Sequence, residues 1–407
     1  MAFRLPSYHP PTVENTPWLL GPWRDGIFYL CSPFAGWAII LAALAAAKAF
    51  PDSLGHRLQI GPLTFTVWVA IWTVWHFLLD VPHGWGTYAR TLLDPEEWQR
   101  RQPYLALSFG WFLVGPVALA CTQWAMGAGL LPAGARYAVF ANYMLAVQLW
   151  TYHHVARQHW GMVALYRRKA YERDEPSRKV DWWAVHGLLY LPVVWFVSGP
   201  VFPAAGYAAG PLRWPVIAGW SIADVLHPAS VAAFVGVLLA YGAYQWRLGM
   251  ERRNTLKLLL LAGVVPLHVA AFCHPLLATL WAPILVVGHN LQYMCLVYHF
   301  GRARYRDRVE PQMRWARLAF AGAPVFLLVS WAYVYATKLG PWVTWLSYYS
   351  RRALIALIQA PTFVTREAAW QCAGQMIVLF TFGFVLQHYY LDGIIWRLRD
   401  EGALPPA

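Results

Sequence analysis

The stretch YLALSFGWFLVGPVALACTQWAM, residues 104–126, carries no charged side chain. It exceeds the roughly 20 apolar residues that cross the hydrocarbon core of a bilayer. Residues 27–49 and 317–337 read the same way. These runs sit in a chain of 407 residues that is 59% hydrophobic and 16% aromatic, with only 13% charged. That charged share is about half of what an ordinary soluble domain carries. The 25 Trp and 22 Tyr suit interfacial belts, where amphipathic rings sit at headgroup depth. The chain therefore reads as an all-α, polytopic transmembrane helix bundle.

Working outward from residues 104–126, ten apolar spans are expected. They are roughly 27–49, 60–84, 104–126, 136–166, 182–206, 227–247, 256–280, 281–300, 317–337 and 374–396. A tight turn is expected around Trp281-Ala282-Pro283, between the seventh and eighth. Residues 1–26 read as an N-terminal cytoplasmic segment with no cleaved signal peptide. Residues 339–372 mix Pro341, Trp342, Trp345 and Tyr348 with Arg351 and Arg352, and read as an interfacial or re-entrant segment. No internal repeat and no soluble domain emerges, so residues 1–407 read as a single membrane domain.

The net charge of +13 raises the question of nucleic acid. The basic residues answer it, because they lie in short loops between spans. Arg90, Arg100 and Arg101 follow span two; Arg167, Arg168 and Lys169 follow span four; Arg247, Arg252 and Arg253 follow span six. Arg302, Arg304 and Arg306 follow span eight, and Arg397 and Arg399 follow span ten. Alternate loops are poorer in positive charge, so both termini are expected in the cytoplasm. The expected location is an integral, multi-pass one, in a bacterial inner (plasma) membrane, with the bilayer as partner and no nucleic acid. The five Cys are scattered without a Cys-x-x-Cys, so no disulfide framework is implied.

Of the 14 His, eight lie in spans two, four, eight and ten: His76, His83, His153, His154, His159, His289, His299 and His388. All but His289 fall in the cytoplasmic half of their span. Ionisable groups at membrane depth are costly and mark functional sites by default, and imidazole is the common side-chain ligand of iron, copper and zinc. In span two, His76, Asp80 and His83 stand at i, i+4 and i+7, one stripe of a regular helix. In span ten, His388 and Asp392 repeat the His-x-x-x-Asp spacing. In span four, His153, His154 and His159 point in different directions, so one or two of them ligate. His299 lies at the depth of this group. His289, His268 and His274 lie deeper, as core residues or pocket lining. The expected metal residues are His76, Asp80, His83, His153, His154, His159, His299, His388 and Asp392. Tyr152, His289, Tyr293 and Tyr389 are the expected substrate-pocket residues. The sequence has no Gly-x-Ser-x-Gly, no phosphate-binding Gly-rich loop and no Cys pair, which disfavours a serine hydrolase or an NTPase.

Pro82-His83-Gly84 in this apolar setting resembles the Brp/Blh-like beta-carotene dioxygenases, whose iron is held by histidines from several membrane helices. The eight His at helix ends also resemble membrane desaturases and alkane hydroxylases, although the His-x-x-x-His and His-x-x-His-His boxes of those enzymes are absent. His153-His154 is similar to the His pair in haem–copper oxidases. These resemblances imply an integral-membrane, iron-dependent oxygenase, hydroxylase or desaturase with non-haem iron, one or two ions, and a lipid, isoprenoid or hydrocarbon substrate. A separate electron-donor protein is expected if the reaction consumes electrons. The alternatives are a haem-binding electron-transfer or oxidase subunit, and a proton- or metal-coupled transporter.

Overall fold

The structure is a computed structural model that describes residues 17–49, 57–60, 63–132, 135–172, 174–206, 215–217, 219–249, 253–339 and 366–395. A short helix, Pro22–Arg24, runs into a π-helical turn, Asp25–Leu30, and then α1, Pro33–Ala49. Strands β1 (Arg57–Ile60) and β2 (Leu63–Thr66) form an antiparallel hairpin. Helix α2 (Val67–Trp75) passes through a second π-helical turn, His76–Asp80, into α3 (Val81–Thr91). Then come α4 (Pro95–Ser108), α5 (Trp111–Gly127), α6 (Ala135–Lys169) and α7 (Glu175–Ser198). A small strand pair, β3 (Pro215–Ile217) and β4 (Trp220–Ser221), precedes α8 (Ile222–Arg247) and α9 (Thr255–Cys273). The described chain ends with α10 (Trp281–Tyr305), α11 (Arg314–Ala319), α12 (Ala323–Val334) and α13 (Arg366–Ile395).

The all-α reading therefore holds, with two strand pairs as its exceptions among the described residues. Among the described residues, six helices are long and apolar enough to cross a membrane, or up to seven when the bent pair Pro311–Ala319 and Ala323–Thr337 is one span. Of the ten expected spans, the second, fourth and eighth fall short of that standard. They are the ones interrupted or made polar by His, Asp, Arg, Asn and Gln. At 35 residues, α6 is also about 50 Å long, well beyond the hydrocarbon core. The turn expected at Trp281-Ala282-Pro283 comes earlier, at His274 and Leu280, so that Trp281 already begins α10. Most of the expected interfacial segment 339–372 and the first part of the N-terminal segment lie outside the described residues.

The chain divides into two compact units, one within 1–79 and 155–292, the other within 80–154 and 293–405. In the first, α7 packs along α8. Buried Asp181 anchors this unit by receiving bonds from Arg167, from Lys257 Nζ at 2.9 Å and from the Tyr241 hydroxyl at 2.7 Å. The last turn of α6, the later part of α8 and the first turn of α9 are thereby joined to α7. Asp174 caps α7 and is held below the usual carboxylate range by the Ser177 hydroxyl and N–H that it accepts.

In the second unit, α13 lies against α5. Gly383 permits it, since a Cβ there would stand 2.6 Å from the Phe112 Cα. Small residues let membrane helices approach this closely. Asp94 caps α4 through the Glu96 and Glu97 N–H groups, and its other oxygen accepts from Arg304 Nε at 2.8 Å and the Tyr305 hydroxyl at 2.7 Å. Arg101 donates to the Ile394 carbonyl at 2.7 Å, tying the end of α13 to α4. These contacts fix the helix ends around which the histidines sit.

Candidate metal centre

Three helices of the second unit supply its buried imidazoles. His83 comes from the first turn of α3, His154 from α6 and His388 from α13. Each is less than a tenth exposed, and each offers a ring nitrogen within 4.8 Å of the other two. The His83 and His388 rings meet edge to face at 4.7 Å between centres, and His154 and His388 at 5.0 Å. Asp392, one turn beyond His388, turns its carboxylate to the same place. Its Oδ2 makes no hydrogen bond and lies 3.7 Å from His388 Nε2 and 3.8 Å from His154 Nε2. Two ligands that share one ion at about 2 Å stand roughly 3 to 4 Å apart. The spacing is therefore that of a ligand set.

The hydrogen bonds around these groups orient them. Thr87, one turn after His83, is fully buried and donates to Asp392 Oδ1 at 2.7 Å. The Tyr293 hydroxyl donates to the same oxygen at 2.7 Å and lies 2.6 Å from the Thr87 hydroxyl. With the Thr87 proton directed to Asp392, the 2.5 Å contact from His388 Nδ1 makes the imidazole the donor. His388 Nε2 is then the lone-pair nitrogen that faces Asp392 Oδ2. His83 Nδ1 is bonded to the Asp80 carbonyl, which leaves its Nε2 as the ligating atom by the same logic. The ring of Tyr389 stacks on His154 at 4.3 Å, and its hydroxyl donates to Thr151 at 3.0 Å.

The other expected residues are placed as follows. Asp80 gives His83 its backbone carbonyl, with the carboxylate 3.8 Å from the ring. His76 is half-buried between the rings of Trp75 and Phe77. The π-helical turn adds a residue there and breaks the regular stripe from His76 to Asp80 and His83. His153 is exposed, about 100° around α6 from His154. His299 is half-buried beside Tyr298. His159 belongs to the first unit and pairs with His268 at 5.6 Å between ring centres. His289 also belongs to the first unit, where Gln158 donates to its carbonyl at 3.0 Å. Tyr152 is buried, and Tyr293 is bound into the Asp392 network.

Thr87 was not expected as a functional residue. A threonine neither titrates nor binds these metals, so only its i+4 spacing from His83 marks it. Comparison with family models, with curated proteins and with solved structures gave no match to this chain.

The donor set suits a metal with mixed nitrogen and oxygen preference. Three imidazoles and a carboxylate fit ferrous iron, as they also fit zinc. A haem fits poorly, because rings packed 4.7 and 5.0 Å apart leave no slot for a macrocycle between them.

Proposed function

We propose that the chain is an integral-membrane, iron-dependent oxygenase, hydroxylase or desaturase that acts on a hydrophobic substrate. The observation that carries this reading is the convergence of His154 Nε2 and His388 Nε2 on one Asp392 oxygen, with His83 packed on His388. His83, His154, His388 and Asp392 would hold a single ion, since the converging atoms are enough for one and leave positions open. Bound ferrous iron supplies dioxygen activation. The protein residues do the rest. Thr87 and Tyr293 hold the Asp392 carboxylate, Thr87 also fixes the His388 tautomer, and Tyr389 supports the face of His154.

Adding the bent pair and the three histidine-bearing helices to the six apolar ones gives about ten spans. With the arginine-rich loops inside, both termini are cytoplasmic. A lipid, isoprenoid, carotenoid or hydrocarbon entering from the bilayer is the natural substrate class. The exposed Leu113, Val117 and Trp124 on α5 are side chains suited to face lipid.

The test is oxygen uptake by detergent-purified protein supplied with ferrous iron and a panel of unsaturated fatty acids, polyprenes and carotenes, with and without a reductant. Uptake with at least one lipid class, reduced a hundredfold or more in His388→Ala, is expected. Equal uptake by that variant, or none by the wild type with any class, would overturn the reading.

A further inference from the structure

The first unit contains a second buried imidazole pair. His159 on α6 and His268 on α9 are both almost fully buried, and their ring centres lie 5.6 Å apart. Together with Gln292 they line a cavity of about 10 Å³, whose other walls are Pro33, Val264, Leu267, Leu285 and Gly288. That volume holds about one water-sized body. His159 Nδ1 makes no hydrogen bond. The Gln292 Nε2 is satisfied by Ser32 Oγ at 3.0 Å, while its Oε1 accepts from nothing. Gln292 is fully buried, so an unbonded amide oxygen there costs about 1 to 3 kcal/mol unless something fills its valence.

We propose that His159 and His268 hold one copper(I) ion in this cavity, beside the Gln292 amide oxygen. Two imidazoles that share an ion at a nitrogen–metal distance of about 2 Å bring their ring centres to roughly 5 to 6 Å, which the pair matches. The walls include no carboxylate and no cationic side chain. An ion there has no counter-charge, and the penalty for burying charge without one favours a single positive charge over two. The cavity has no room for a hydrated ion, which favours a metal content with two or three ligands. Imidazole suits copper among the biological metals. This site belongs to the first unit, although His159 follows His154 by five residues on α6, and it does not depend on the proposed reaction.

The test uses copper(I) alone. Detergent-purified full-length protein is loaded anaerobically under reducing conditions, washed with a copper(I) chelator and analysed for metal. His159→Gln and His268→Gln are expected to retain one equivalent less than the wild type, whereas His83→Ala/His388→Ala keeps that equivalent. Undiminished copper in the two Gln variants, or no retained copper in the wild type, would overturn the proposal and leave a buried water as the occupant. If the variants do not fold, X-ray absorption of the copper-loaded His83→Ala/His388→Ala protein and of the wild type decides. Two or three nitrogen or oxygen ligands support the site, and sulfur ligation or four imidazoles contradicts it.

Discussion

Thr87 shows how a side chain with no chemistry of its own can set the chemistry of its neighbours. Its hydroxyl touches Asp392, His388 and Tyr293 at once. Thr87→Val keeps the shape and removes all three bonds. Outer bonds of this kind are worth about 10- to 100-fold in metal affinity. Iron retention against a competing chelator is expected to weaken by that factor in Thr87→Val and to return in Thr87→Ser; equal retention in all three would show that the hydroxyl does not orient the ligands. Much of the residue-scale picture was legible in the sequence. The His388–Asp392 spacing marked one helical face, and the structure places both groups on it. The regular spacing of the span-two stripe does not carry through from His76, because a π-helical turn shifts the phase of a helix without a sequence signal of its own. The choice among His153, His154 and His159 also could not be read from spacing. It depends on which way α6 faces, and that is set by contacts with residues distant in sequence.

At the scale of elements, the second unit depends on how closely α13 approaches α5. Gly383 faces the Phe112 backbone, and Gly115 on the other helix faces the Leu379 side chain, where a Cβ would stand 2.7 Å from Leu379 Cβ. Gly383→Ala forces the helices apart at a position one turn before Gln387 and His388. Overpacking costs about 1 to 3 kcal/mol. A lower midpoint of thermal unfolding in detergent is expected for Gly383→Ala, along with weaker metal retention; an unchanged midpoint would mean that the helix pair is looser than the structure shows. The apolar helices themselves were evident from hydropathy, since a run such as 104–126 has few other fates. The glycines at the helix contact were not, because a small residue in an apolar run has the same appearance whether it faces lipid or a neighbouring backbone.

For the molecule as a whole, six helices, or seven with the bent pair, are long and apolar enough for a crossing among the described residues, and the proposed count of about ten adds three less apolar ones. The difference falls on the helices that carry His76, His83, His154, His289 and His299. On the proposed count, a helix that builds a polar site loses the apolar signature by which spans are recognised. The orientation makes a separate prediction. Single cysteines placed at Ala170 and Asp307 are expected to react with a membrane-impermeant thiol reagent only after the cytoplasmic face is opened, in a background without the native cysteines. Labelling from the outside in intact cells would contradict the proposed arrangement.

The most direct measurement of the central claim is elemental analysis combined with an absorption spectrum on purified protein, wild type beside His83→Ala, His388→Ala and Asp392→Ala. The account predicts about one iron per chain in the wild type, no Soret band, and loss of that iron in each variant whose folding is preserved. A Soret band, or a wild type that binds no iron when supplied with it, would contradict the account.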